Sequence, residues 1–172
     1  MQYITAVALA ERPGARELAQ VATAEHLRMV PFELMEATLR GGDRSTWTAD
    51  QVAAADDALQ RIEEAVGQAE SMVDGFLARR GYPLPLSPVP ELVTGWVRDI
   101  ARYLLHKDRG GQAADDPIVR AYRDALKFLE MIAAGKFSLG ANDPIQTDPN
   151  LVDVRFDSSP SVFNRDQLRA FR

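Results

Sequence analysis

Residues 48–81 read TADQVAAADDALQRIEEAVGQAESMVDGFLARRG. Apolar side chains recur at Val52, Ala55, Leu59, Ile62, Val66, Ala69, Val73 and Phe76, at alternating intervals of three and four. That spacing lays a continuous apolar seam along one helix face, with Asp57, Gln60, Arg61, Glu64 and Gln68 opposite. Thr48-Ala49-Asp50-Gln51 fits a capping box. Arg79 and Arg80 suit the negative end of the helix dipole, and Gly81 supplies a stop. The pattern therefore predicts one long helix that needs partners along most of its length.

Those partners lie on both sides in sequence. Tyr82-Pro83-Leu84-Pro85-Leu86-Ser87-Pro88-Val89-Pro90 is excluded from helix by its prolines and is expected to run extended, near polyproline II. It reads as a strap across the helices, with Leu84 and Leu86 tucked in. A second helix is expected from Pro90-Glu91 to about Lys107, its apolar face formed by Leu92, Trp96, Ile100, Tyr103 and Leu104. Asp108-Arg109-Gly110-Gly111 ends it. Asp116-Pro117 caps a third, running to about Ala134 with Ile118, Tyr122, Ala125, Leu126, Leu129 and Ile132 inward, and Gly135 closes it. Upstream, Thr5 caps a brief helix through Glu11, which Pro13-Gly14 interrupts. Further short helices are expected over 15–22, from Thr23 towards Val30, and from Pro31 through Leu39, before a Gly41-Gly42-Asp43 loop. No segment alternates with period two, so the fold class is all-α: a compact bundle of three long helices with short N-terminal helices. The expected core is Leu59, Ile62, Val66, Val73, Trp96, Ile100, Leu126 and Leu129.

After residue 140 this pattern stops. Residues 141–172 carry Pro144, Pro149 and Pro160, five aspartates and isolated aromatics. Such a segment cannot bury enough apolar surface alone to offset its ordering entropy. Its widely spaced phenylalanines nevertheless suit docking on another protein. The expected organisation is a helical body over 1–140 and an extended C-terminal arm over 141–172. The arm's expected anchors are Phe156, Phe163 and Phe171, with Leu151, Val152 and Leu168 as lesser ones. Arg155, Arg165, Arg169 and Arg172 would pair with acidic groups on a partner.

Composition narrows the chemistry. The chain has 172 residues, 46% hydrophobic and 26% charged, with formal net charge -5. No apolar run approaches the roughly 20 residues of a membrane span, and Met1-Gln2-Tyr3-Ile4-Thr5 lacks the blocks of a signal peptide. With no cysteine there is neither a disulfide framework nor a thiolate metal site, and synthesis in the cytoplasm fits. The negative charge argues against tight binding to phosphate backbones, though an acidic surface can line a duct through which DNA slips. His26 and His106 lack the i, i+4 partners of a helical metal site; both read as structural. Asp56-Asp57 and Glu63-Glu64 point about 100° apart along a helix and do not share a site. Arg79-Arg80 reads as dipole compensation rather than a nucleic-acid contact. No nucleophile motif or phosphate loop is present, so no catalytic residue, cofactor or metal is assigned.

Four stretches, in order, resemble the head-tail connector (adaptor, or head completion) family of Mu-like tailed bacteriophages. They are Met1-Gln2-Tyr3-Ile4-Thr5, residues 74–86 from Asp74-Gly75-Phe76 to Leu84-Pro85-Leu86, residues 98–105 from Arg98-Asp99 to Leu104-Leu105, and residues 120–136 from Arg120-Ala121-Tyr122 to Gly135-Lys136. The likeness spans about residues 1–140. This chain departs from it by placing Gly81 between Arg80 and Tyr82, and over residues 23–47. The resemblance implies a non-enzymatic virion protein at the head-tail junction, without cofactor. Its implied partners are the portal protein, neighbouring copies in a dodecameric ring, the next tail-side connector or tail terminator protein, and DNA in passing; no membrane is involved. The bottom-up alternative is a small helical dimeric regulator or adaptor unrelated to virions, using the Val52–Phe76 seam as its interface.

Overall fold

Thr48 starts the longest helix in the way its sequence requires. In the computed structural model, which describes residues 1–107, 115–140 and 143–144, Gln51 N–H donates to Thr48 Oγ1 at 3.4 Å and Thr48 N–H donates to Gln51 Oε1 at 3.0 Å. Among the described residues the helices are α1 (Ala6–Leu9), α2 (Ala15–Ala22), α3 (Phe32–Arg40), α4 (Ala49–Arg80), α5 (Glu91–His106) and α6 (Pro117–Ala133), and no strand occurs. The fold is all-α. Helix α4 is about 48 Å long and forms the axis: α5 and α6 pack against it, as do α2 and α3. Gly81 ends it in left-handed backbone at φ 96°, which a glycine tolerates without steric cost.

Ile62, Val66, Val73, Trp96, Ile100 and Leu129 are buried as expected, whereas Leu59 and Leu126 are only half-buried. The stripe of α4 that is buried consists of Ala55, Ala58, Ile62, Ala65, Val66, Ala69, Glu70, Val73 and Leu77. A strict three-four alternation has period 3.5 and drifts by about 20° per heptad on a straight helix. Val52 and Phe76, the ends of the expected seam, accordingly lie at the edges of the buried stripe, half-exposed. Ala55, Ala58, Ala65 and Ala69 alternate in it with the larger Ile62, Val66 and Val73.

Other expectations need correction. Thr23 to Val30 is not a helix. Thr23 takes extended backbone at the end of α2, and its Oγ1 donates to the Ala19 carbonyl and accepts from Val30 N–H at 3.3 Å. Pro31 then keeps Val30 out of the helical region. On α5, Leu92 faces out, 45% exposed, while Val93, Val97 and Ala101 join Trp96 and Ile100 inside; Tyr103 and Leu104 are half-buried. On α6, Val119 is buried, with Ile118 and Tyr122 at the margin, where Tyr122 stacks on Tyr103. The proline segment bends rather than running as polyproline II, with cis peptides at Leu84–Pro85 and Ser87–Pro88. Leu86 packs against the core but Leu84 is exposed. Between α1 and α2, Ala10–Gly14 forms a widened turn in which Arg12 leaves helical backbone.

The N-terminal segment is sewn to this axis. Gln2 and Tyr3 N–H groups both donate to Glu70 Oε1, at 2.5 and 2.9 Å. The buried Tyr3 hydroxyl donates to Asp74 and accepts from Leu86 N–H at 3.4 Å, and Thr94 Oγ1 donates to the Tyr3 carbonyl at 2.9 Å. Tyr3 thereby joins α4, the proline segment and α5. Burial, followed by the Asp74 carboxylate, pushes its hydroxyl pKa up to about 12.

Candidate functional site

All the expected partner-binding residues, Leu151, Arg155, Phe156, Phe163, Arg165, Leu168, Arg169, Phe171 and Arg172, lie outside the described residues, as does Val152. What the structure does describe is how Asp143, just before them in sequence, is held. Asp143 sits against the C-terminal end of α4: Arg80 Nη2 donates to its Oδ2 at 2.9 Å, and the Tyr82 hydroxyl donates to its Oδ1. Tyr82 Oη also accepts from Leu139 N–H at 3.1 Å. The hydrogen bond from Tyr82, followed by the Arg80 charge, holds the Asp143 carboxyl below the usual aspartate range. Burial and the Asp143 carboxylate raise Tyr82. Gly135, at φ 71°, brings bare backbone against the Arg80 guanidinium; a Cβ there would lie 3.3 Å from Nη1. Arg80 is thus tied inward while Arg79 stays exposed. Sequence reasoning assigned both arginines to the helix dipole and missed the clasp. Its signals were Asp143 and the tyrosine following the helix stop, too far apart in sequence to be paired by inspection.

A second polar junction joins α2 to α5. Arg102 donates to Glu17 through Nε at 2.5 Å and Nη2 at 2.7 Å, and His106 Nε2 lies 3.0 Å from Glu17 Oε1. Burial alone would raise Glu17, but the hydrogen bonds from Arg102 and His106 outweigh it and hold the carboxyl below its ordinary value. His106 is therefore an inter-helix partner, consistent with its structural reading. His26 is exposed in the loop after α2. Among the described residues no group of histidines and carboxylates is arranged to hold a metal ion.

Among the described residues, two apolar surfaces stand out. One is a groove of about 670 Å³ between the 27–31 loop and the first turns of α4, lined by Leu27, Met29, Val30, Pro31 and Ala54, with Arg28 and Asp50 beside them. Leu27 and Met29 are exposed, Met29 by 58%. Nothing in the sequence reading marked this site, because residues 23–30 were expected to be helical. The other centres on the exposed Phe128, which stacks at 6.0 Å on the buried Trp96, itself edge-on to Phe137 at 6.5 Å. Leu92, one turn earlier on α5, extends this surface. The polar side of α4 carries Arg61 beside Asp57 at 3.3 Å and Glu64 accepting from Gln60 at 3.0 Å, all outside the buried stripe. Arg98 on α5 is half-exposed. No helix among the described residues is long and apolar enough to cross a membrane.

Comparison with known proteins adds a second line of inference. The chain is 34% identical over 111 residues to the Mu-like prophage FluMu protein gp36 of Haemophilus influenzae, covering 64% of this chain and 75% of that protein. It is 33% identical over 113 residues to gene product J of Escherichia phage Mu, covering 65% of this chain and 75% of that protein. No solved structure matches it. The family described as Bacteriophage Mu, Gp36 matches residues 3–157, which takes in the whole helical body, the Arg80–Asp143 clasp and the first part of the segment beyond it. The chain belongs to that phage protein family.

Proposed function

We propose that this protein is a structural component of the virion, a head-tail connector that forms a ring beneath the portal, joins head to tail and lets the genome pass. The observation that carries the proposal is the match over residues 3–157 to a phage Mu family, on a chain whose helical body is followed by 28 residues beyond Pro144 carrying three phenylalanines. A body with its own core and a C-terminal segment rich in docking side chains is the construction of a subunit that joins two neighbours. In this reading the portal protein or an adjacent copy receives the arm, and a tail-side connector or terminator protein meets the opposite side. The ring is dodecameric, and each lateral contact is heterologous, one face of a body meeting a different face of the next. The charges around Arg61, Glu64 and the half-exposed Arg98 are its meeting surface. The protein performs no catalysis and uses no cofactor; it acts by position.

The decisive experiment is imaging and protein inventory of purified particles. A ring of copies at the head-tail junction is the expected result. A single copy or none there would overturn the proposal, and a stable dimer found only outside particles would favour the small helical regulator.

A further inference from the structure

We infer that the groove between the 27–31 loop and the start of α4 is the receptor for the C-terminal segment of this same chain, with Phe163 and Phe171 as the side chains that enter it. The inference deepens the connector reading, since it rests on the arm being a docking segment. The groove is about 670 Å³, within the roughly 300–1,000 Å³ of pockets that bury a ligand. Its walls are Leu27, Met29, Val30, Pro31 and Ala54. Leu27 and Met29 stand 37% and 58% exposed, so an incoming aromatic ring removes apolar surface on both sides of the contact.

Reach and charge select the occupant. The described chain ends at Pro144, beside Gly81 at the far end of α4. From there to Asp50 is 30 residues of helix, about 45 Å. Phe156 is 12 residues beyond Pro144, an extended reach of at most about 40 Å, which falls short within one chain. Phe163 is 19 residues beyond, with a reach of about 65 Å, and Phe171 lies further still. The later phenylalanines therefore reach a groove at the opposite end of their own α4, or the corresponding groove of an adjacent copy. Beside the groove lie Arg28 and Asp50, and between Phe163 and Phe171 lie Arg165, Asp166 and Arg169. Both signs on each side allow Asp166 to meet Arg28 while an arginine meets Asp50.

The chain has no cysteine, so engineered pairs report contact cleanly. The full-length Ala54→Cys, Asn164→Cys double variant keeps every phenylalanine. It should form a disulfide under mild oxidation about tenfold faster than a Ser71→Cys, Asn164→Cys control, because a docked segment holds the two thiols at high effective concentration. Ser71 is exposed on the same helix, well away from the groove. Adding Phe163→Ser and Phe171→Ser should slow the reaction to the control rate. Mixing the Ala54→Cys and Asn164→Cys single variants reads whether the segment comes from its own chain or the next; cross-linking by either route supports the inference. Equal rates for the groove pair and the control pair, with both proteins folded by circular dichroism, would overturn it. Absence of the protein from particles alongside a positive cross-link would remove the connector reading and leave the receptor standing; the converse pattern would do the reverse.

Discussion

Glu17 accepts from Arg102 and His106 at once, so its ionised form is favoured by folding. Its folded-state pKa lies below its unfolded one. The resulting stability is present above the ordinary glutamate value of about 4.3 and is lost as the pH falls through the folded value. Glu17→Gln should melt lower than the parent near neutral pH, because Arg102 is left half-buried without its counter-charge. It should then lose less on acidification, so melting curves recorded from neutral to acidic pH converge. Parallel curves would show that Glu17 does not carry this dependence. Asp99 has the opposite sign: burial, opposed by Arg98, Arg102 and Arg12, raises its carboxyl. Its favourable contribution is complete below about 3.9 and is lost as the pH rises through the raised value. Asp99→Asn should therefore melt at or above the parent temperature at neutral pH, and a clear drop in a thermal scan would count against the assignment. Neither site was legible in advance. Thr48 and Gly81 were, since a cap is a matter of residues a few places apart. Glu17 and Arg102 are 85 positions apart, and only the packing of α2 on α5 introduces them.

Helix α4 shows what a periodic pattern conveys and where it blurs. Its limits were readable from the capping box and the glycine stop, and its central seam residues Ile62, Val66 and Val73 are fully buried. The flanks of the seam were misjudged because neighbours pack on more than one side of α4 and the buried stripe widens to Ala58, Ala65 and Leu77. This difference has a measurable consequence. Ile62→Ala should cost about 2–5 kcal/mol, since its cavity would be closed on all sides. Leu59→Ala and Leu126→Ala should cost less, roughly 1–2 kcal/mol, because each already shares its surface with water. Denaturant midpoints at constant slope would check the ranking; equal losses for Ile62 and Leu59 would contradict it. The 23–30 loop was misread for a different reason. Ala24 to Val30 contains adequate helix formers, but the Thr23 hydroxyl donates back to Ala19 of α2 and accepts from the loop's Val30 N–H, and Pro31 disfavours a helical continuation. That loop then builds the wall of a groove that no periodicity announces.

At the scale of the whole molecule the question is how a helical body and its C-terminal segment divide the work. The net charge of -5 opposes a strong electrostatic attraction to DNA, so a gel shift at moderate salt should show weak, sequence-independent binding. Nanomolar, selective binding would contradict a conduit. The last described residues are fixed in place, since Arg80 and Tyr82 hold Asp143 against the end of α4. This clasp fixes where the molecule can be cut. Removing residues 151–172 leaves the clasp and the described core intact, so the shortened protein should melt within about 2–4 °C of the parent, the range that a change near 1 kcal/mol produces in a domain of this size. Removing residues 141–172 also deletes Asp143, strands the Arg80 guanidinium in a half-buried setting and should lower stability further. On the proposed connector role, a phage carrying the shorter deletion should still accumulate the folded body but leave filled heads and free tails unjoined. The two deletions together distinguish attachment from folding: a defect already complete without residues 151–172, in a protein of unchanged melting temperature, assigns the joining to the segment. Infectious particles at normal yield from that deletion would overturn the proposed anchoring role of Phe156, Phe163 and Phe171.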